Sequence, residues 1–173
     1  NQSLNSWDTS NVANMEYAFL GASSFNSSIN SWDISGVTSL RQVFKDANTF
    51  NQSISSWNTN NVYIMSNMFE GANAFNQNIS SWNVAGVGSF SNMFHNATSY
   101  NQPLDSWTVS NTASFADMFN GATSFNQTIV SWNIDSVLGG MFNNASSYNQ
   151  DLSSWCVPKN YLEPYTFSTG ATS

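Results

Sequence analysis

Phe50-Asn51-Gln52-Ser53-Ile54-Ser55-Ser56-Trp57, followed at fixed distances by Val62, Met65, Met68, Phe69, Gly71 and Ala72, decides how this chain is built. Moved along by 25 residues, the stretch recurs. The tryptophans mark the beat at Trp7, Trp32, Trp57, Trp82, Trp107, Trp132 and Trp155; five steps are 25 residues, the last is 23, and no tryptophan lies off the beat. A fixed period of this length signals a repeat architecture, in which a unit too small to bury its own apolar face buries it against copies of itself.

Working outward, each unit divides in two. The first part opens on an aliphatic residue (Leu4, Ile29, Ile54, Ile79, Leu104, Ile129, Leu152), reaches Trp three residues later, and places Thr9, Ile34, Thr59, Val84, Val109 or Ile134 two beyond that. Trp and the residue two beyond it share a face in an extended chain, and both are strand-favouring types, so the spacing predicts a short strand. The second part carries Val12, Met15, Ala18, Phe19 and Ala22, three and four apart, which predicts a short helix after the N-cap types Ser10 and Asn11. Gly21, Asp46, Gly71, Asn96, Gly121 and Asn144 are suited to a left-handed C-cap. Phe25, Phe50, Phe75, Tyr100, Phe125 or Tyr148 then leads into the next unit.

Stacked units of this kind predict a right-handed, leucine-rich-repeat-like α/β solenoid of about seven coils, with a parallel sheet on one side, short helices on the other and ladders of identical side chains inside. The expected organisation is a solenoid over residues 1–155 and a C-terminal cap over 156–173, where Pro158 and Pro164 discourage further pairing. Gly139-Gly140 in the two-residue-short sixth unit predicts a helix cut to a single turn or a 3₁₀ turn. The opening Asn1-Gln2-Ser3-Leu4 matches the interior of a unit at Asn51-Gln52-Ser53-Ile54, the pattern of an N-terminally truncated fragment.

Composition bounds the function. Of the 173 residues 40% are hydrophobic and 15% aromatic, enough for a sizeable core. Only 8% are charged, against about a quarter in ordinary globular proteins, so Asn, Ser, Thr and Gln must make the polar surface. The net charge is −7, with Arg41, Lys45 and Lys159 the only cationic side chains. Binding to a nucleic-acid backbone needs a basic stripe, which three scattered cations cannot supply. No stretch approaches the roughly 20 apolar residues of a membrane-spanning helix. The expectation is therefore no nucleic-acid partner and no direct membrane insertion.

Ser6 to Val12, Met68-Phe69-Glu70-Gly71-Ala72 and Ala74-Phe75-Asn76-Gln77 carry a resemblance to the BspA-like, leucine-rich-repeat-type surface-protein family, a 25-residue repeat abundant in mycoplasma and other bacterial surface proteins. The resemblance extends through about Trp155. It implies extracellular or cell-surface display and a part in adhesion or host interaction, and it brings no catalytic residue. The tail also resembles the closing segment of environmental bacterial members in which a second cysteine lies further on, which would give Cys156 a disulfide partner outside this fragment.

The residues themselves offer no catalytic constellation and no cofactor or metal set. His95 is the only histidine, at a position that other units fill with Glu70 or Asn120. Two rows stand out on the face opposite Trp. One holds Ser6, Ser31, Ser56, Ser81, Ser106 and Ser131; beside it run Asp8, Asp33, Asn58, Asn83, Thr108 and Asn133. Such rows repeat donors and acceptors at a fixed interval, a surface suited to a glycan, a host or matrix protein met as an extended peptide, or self-association with another copy of the chain. The simpler reading is that they solvate the sheet and bond to one another. Calcium would want more carboxylates than Asp8 and Asp33, and an ice-binding face would want more threonine. Asn1, Asn26, Asn51, Asn78, Asn96, Asn126 and Asn144 sit in Asn-x-Ser/Thr triplets, acceptors for N-glycans in a eukaryotic secretory pathway. The function these readings predict is a non-catalytic surface repeat used in adhesion, with an architectural part in a stalk or filament as the alternative.

Overall fold

Successive 25-residue units lie on one another as coils of a stack in the computed structural model, which describes residues 2–111, 113–134 and 138–155. Six coils open at Leu4, Ile29, Ile54, Ile79, Leu104 and Ile129, and a seventh begins at Leu152. The secondary structure inside the coils is not the expected one. Among the described residues there is no helix, and the only strand pairing is a line of single parallel bridges, Ser39 to Ile64 to Ser89 to Ser114. The α/β leucine-rich-repeat-like solenoid with a sheet on one side and helices on the other is therefore not what this sequence forms. What forms is a stack of turns.

The apolar spacing that predicted a helix is produced by three overlapping turns. In the second coil Val43 N–H donates to Leu40 O, Lys45 to Gln42 and Ala47 to Phe44, each a bond back three residues. The intervening N–H groups leave the coil altogether: those of Leu40, Gln42, Phe44 and Asp46 donate to Ile64, Ser66, Met68 and Glu70 of the next coil at 2.7–3.1 Å. A helix would keep all of these bonds to itself. It is forbidden here by two left-handed residues per coil. One series is Tyr17, Gln42, Asn67, Asn92, Asp117 and Gly140; the other is Gly21, Asp46, Gly71, Asn96, Gly121 and Asn144. Each sits third in a four-residue turn, where a type II turn requires positive φ. The left-handed residues expected at the second series are present, but they close turns and end no helix.

The predicted strand fails for a related reason. Trp N–H donates to the carbonyl of the aliphatic residue three before it in every coil, from Trp7 on Leu4 to Trp155 on Leu152, so the segment begins with a turn. The bridges fall instead in the segment expected to open the helix. Burial follows the pattern nonetheless: Trp32 with Ile34, Trp57 with Thr59, Trp82 with Val84 and Trp132 with Ile134 all face inward.

Two aromatic columns run through the interior. Phe19, Phe44, Phe69, Phe94, Phe119 and Phe142 stack with centroids 5.5–5.7 Å apart. Beside them Phe25, Phe50, Phe75, Tyr100, Phe125 and Tyr148 stack at 5.7–6.2 Å. Within each coil the two rings lie 3.9–4.1 Å apart. The indoles flank this double column, and those of Trp32, Trp57, Trp82, Trp107 and Trp132 each donate Nε1–H to the aliphatic carbonyl of the coil before, at 3.0–3.2 Å. Trp7, in the first coil, is 60% exposed.

The sixth coil, expected to hold one helical or 3₁₀ turn, has the same run of turns as the others among its described residues. Its turn run is complete, with Met141 bonded to Leu138, Asn143 to Gly140 and Ala145 to Phe142. Ile134 keeps step with Val109 at 25 residues, whereas Leu138 follows Phe115 by 23, so the two missing residues precede the run. The expected cap over 156–173 and Cys156 lie outside the described residues.

Candidate functional site

Each coil is fastened to the next by polar side chains along its edges, and this placement decides what the surface can offer a ligand. The most regular fastening is an asparagine ladder. Asn26 Oδ1 accepts from Asn51 N–H and Gln52 Nε2, and Asn51, Asn76 and Asn101 do the same for the coil that follows each, at 2.8–3.1 Å. Asn126 accepts from Asn149 N–H and Gln150 Nε2, across the shortened step. The Phe-Asn-Gln signature is thus a lateral clip: the ring enters the column while the amide bonds to the neighbouring coil. No sequence reading assigned it that part, although the fixed Asn-Gln after each ring was the signal.

All twelve residues of the two predicted rows are exposed, and the stack aligns them along one edge. The serine hydroxyls are used within the fold. Ser31 Oγ donates to Asn5 O, Ser81 to Ser55 O and Ser106 to Ser80 O at 3.0–3.2 Å. Ser56 and Ser131 bond in the same way to Asn30 O and Asp105 O. What these residues turn to solvent is the acceptor side of a hydroxyl whose proton is engaged.

The second row closes local turns. Asp8 Oδ1 accepts from the N–H and hydroxyl of Ser10, Asp33 from Ser35 N–H, Asn58 from Asn60 N–H and Asn83 from Ala85 N–H. The side-chain and then the backbone bond of Ser10 hold the Asp8 carboxyl below its usual range, and Ser35 does the same for Asp33. Both therefore remain anionic at neutral pH. Asn83 also donates Nδ2–H to Asn60 Oδ1 of the preceding coil at 2.8 Å. Along the stack the row holds carboxylates at Asp8 and Asp33, amides at Asn58 and Asn83, a hydroxyl at Thr108 and an amide again at Asn133.

Of the glycosylation triplets, Asn26, Asn78, Asn96 and Asn144 are exposed, and Asn51 and Asn126 are half-buried. Asn1 lies outside the described residues. Asn26, Asn51 and Asn126 are members of the ladder, Asn78 Oδ1 accepts from Ser80 N–H, and Asn96 and Asn144 are left-handed turn residues. His95 is half-buried on a turn, with Nδ1 3.2 Å from Asn92 Oδ1. One coil earlier, Glu70 takes an ion pair from Lys45 at 2.9 Å and a hydrogen bond from Asn67 at 2.6 Å. Among the described residues no three His, Cys, Asp or Glu side chains converge as a metal site would require, and no helix is long and apolar enough to cross a membrane.

The chain matches a known family profile over nearly its whole length. The profile described as "Mycoplasma protein of unknown function, DUF285" matches residues 1–97 and again residues 79–171. The chain belongs to this family. No curated protein and no solved structure matches it. Membership in DUF285 agrees with the mycoplasma-type repeat read from the sequence and assigns no ligand to the edge rows.

Proposed function

We propose that this chain is a non-catalytic repeat region of an extracellular or cell-surface protein, and that it acts in adhesion through the edge carrying the Ser and Asx rows. The observation that supports this reading is the alignment of all twelve side chains, exposed, on one edge of the stack. Inter-coil bonds fix Ser31, Ser56, Ser81, Ser106, Ser131 and Asn83, and local turns fix Asp8, Asp33 and Asn58, so a ligand meets acceptors and amides already in place and little ordering cost is left to binding. The resemblance to BspA-like surface proteins adds adhesion or host interaction as the biological setting. The partners proposed are a glycan, a host or matrix protein, or another copy of the chain, without nucleic acid, cofactor or metal. N-glycans on the exposed triplets belong to the same proposal.

A second reading has its own support. The N–H groups that leave the turn run all point towards the following coil, so the stack is polar and copies would add in one sense, as subunits of a stalk or filament do. Presenting the soluble chain to arrayed glycans and matrix proteins tests the first reading. Retention that is lost in an Asn58→Ala/Asn83→Ala double variant is the expected result. Ordered polymers seen by electron microscopy without any ligand, together with an unreactive array, would replace adhesion with the architectural role.

A further inference from the structure

The third coil departs from the repeat at two consecutive surface positions. Tyr63 stands where other coils have Ala13, Thr38, Gly88 and Ala113, and Ile64 stands in the bridge line otherwise held by Ser39, Ser89 and Ser114. Both are exposed, Tyr63 at 55% and Ile64 at 38%. Neither serves the core, since Val62 and Met65 on either side already fill it. A local choice that breaks the pattern without a packing gain points to use rather than construction.

The surroundings suit a flat ring held still. Tyr63 N–H donates to Thr38 O and Tyr63 O accepts from Gly88 N–H, both at 2.9 Å, so the backbone is pinned from both sides. Gly86 lies under the ring edge: a methyl group built there would meet Tyr63 Cε1 and Cδ1 at 3.7 and 3.8 Å. The position alternates between Asn11, Gly36, Asn61, Gly86 and Asn111 along the coils, and at Gly86 no side chain stands beside the ring. Asn61 donates Nδ2–H to Ser35 O, which holds another amide close by in sequence. The positions flanking Tyr63 in adjacent coils, Thr38, Gly88, Gly36 and Gly86, carry no charge.

We infer that Tyr63, with Ile64 beside it, is a stacking platform for a hexose ring of a neutral glycan. Size argues against a protein partner, because two side chains are far short of the roughly 800 Å² per partner that a stable protein interface buries. A single sugar ring is matched to one aromatic face, and its hydroxyls suit an uncharged margin such as Thr38 and the three glycines make. A chain of net charge −7 with three cationic side chains disfavours anionic glycans. The inference rests on the adhesive reading and narrows it to one ligand class and one anchor.

Affinity electrophoresis through gels containing neutral glucan, mannan or galactan tests it. The unmodified chain is expected to be retarded by at least one of these polymers, Tyr63→Phe to be retarded equally, and Tyr63→Ala to lose at least tenfold in affinity with its tryptophan emission unchanged. Equal retardation of Tyr63→Ala would overturn the platform while leaving adhesion through the rows intact. No retardation of the unmodified chain by any of the three, or retardation by an anionic polymer alone, would also overturn it. The broader adhesive reading would then be decided by retention on the array of glycans and matrix proteins.

Discussion

Tyr100 puts a hydroxyl where its column otherwise holds phenylalanine at Phe25, Phe50, Phe75 and Phe125. The side chain is fully buried and its OH has no hydrogen-bond partner; the hydroxyl of Tyr148 is likewise buried and unpartnered. An unsatisfied buried hydroxyl costs about 1–3 kcal/mol, so Tyr100→Phe should raise the urea midpoint. Burial also pushes the Tyr100 and Tyr148 hydroxyls above their ordinary ionisation range. Because the folded-state pKa is the higher, stability is unaffected below about pH 10 and falls above it, as the unfolded chain loses protons that the fold retains, by up to about 1.4 kcal/mol per pH unit for each group. Tyr100→Phe/Tyr148→Phe should therefore flatten the alkaline limb of a stability-against-pH curve; an unchanged limb would refute this account. The left-handed positions give a pair of opposite effects. At Gly71 a methyl group would collide with Asp46 Oδ1 on a backbone of φ 68°, so Gly71→Ala should cost about 1–3 kcal/mol. At Gln42, φ 56°, asparagine is the residue used by the next two coils at Asn67 and Asn92. Asn tolerates this region better than Gln, so Gln42→Asn should stabilise by a fraction of the about 1–2 kcal/mol that left-handed backbone costs an ordinary residue; thermal melts of the two variants should move in opposite directions.

Within one coil, the sequence disclosed which side chains go inward far better than it disclosed the backbone that carries them. Met65, Met68, Phe69 and Ala72 keep helical spacing and are buried, yet that spacing is also what three overlapping turns produce when alternate N–H groups leave the coil. The decisive signal was Asn67 four residues before Gly71: one such residue reads as a cap, whereas two in a single run exclude a helix. Tyr17 and Gln42 at the same position hid that signal, since neither type announces positive φ. The strand was misplaced because Trp57 and Thr59 alternate like strand residues while Trp57 in fact closes a turn on Ile54. The serine and Asx rows were legible from period alone, but the engagement of the serine protons by the preceding coil was not, because it depends on how far one coil slides over another. The asparagine ladder makes a prediction at this level. Asn76 Oδ1 accepts from Asn101 N–H and Gln102 Nε2, so Asn76→Ala removes two bonds and leaves a part-buried backbone donor unpaired. A loss of about 1–3 kcal/mol is expected, with hydrogen exchange accelerating at Asn101 ahead of other amides. Protection that stays uniform along the stack would show that the clip is incidental.

Taken as a whole, the molecule holds together by contacts between one coil and the next, and charge contributes little to them. The interior is two continuous ring columns, and every coil offers the same rings, amides and turn carbonyls to the coil on either side. Stability should then be close to a sum of coil and coil-to-coil terms rather than the property of one indivisible core. Excision of residues 76–100 tests this directly. The cut joins Phe75 to Asn101-Gln102 and restores the Phe-Asn-Gln clip. It brings Phe69 onto Phe119 and Phe75 onto Phe125, so both columns close over the gap, and Asn51 finds Asn101 where it had Asn76. The shortened chain should fold with its indoles still shielded and unfold with a smaller denaturant slope, since that slope follows the surface exposed on unfolding. Removing only residues 76–98 should behave quite differently. Ser99 and Tyr100 would then stand between the ring of Phe75 and the amide of Asn101, and every clip and turn beyond them would arrive two residues late. The natural two-residue shortfall is accommodated between Ile134 and Leu138, away from the ring-amide corner, so this variant asks whether the corner itself sets the register. If both excisions fold equally well, ring-on-ring register is not what orders the stack; if neither folds, the coils are not the independent units that their bonding makes them.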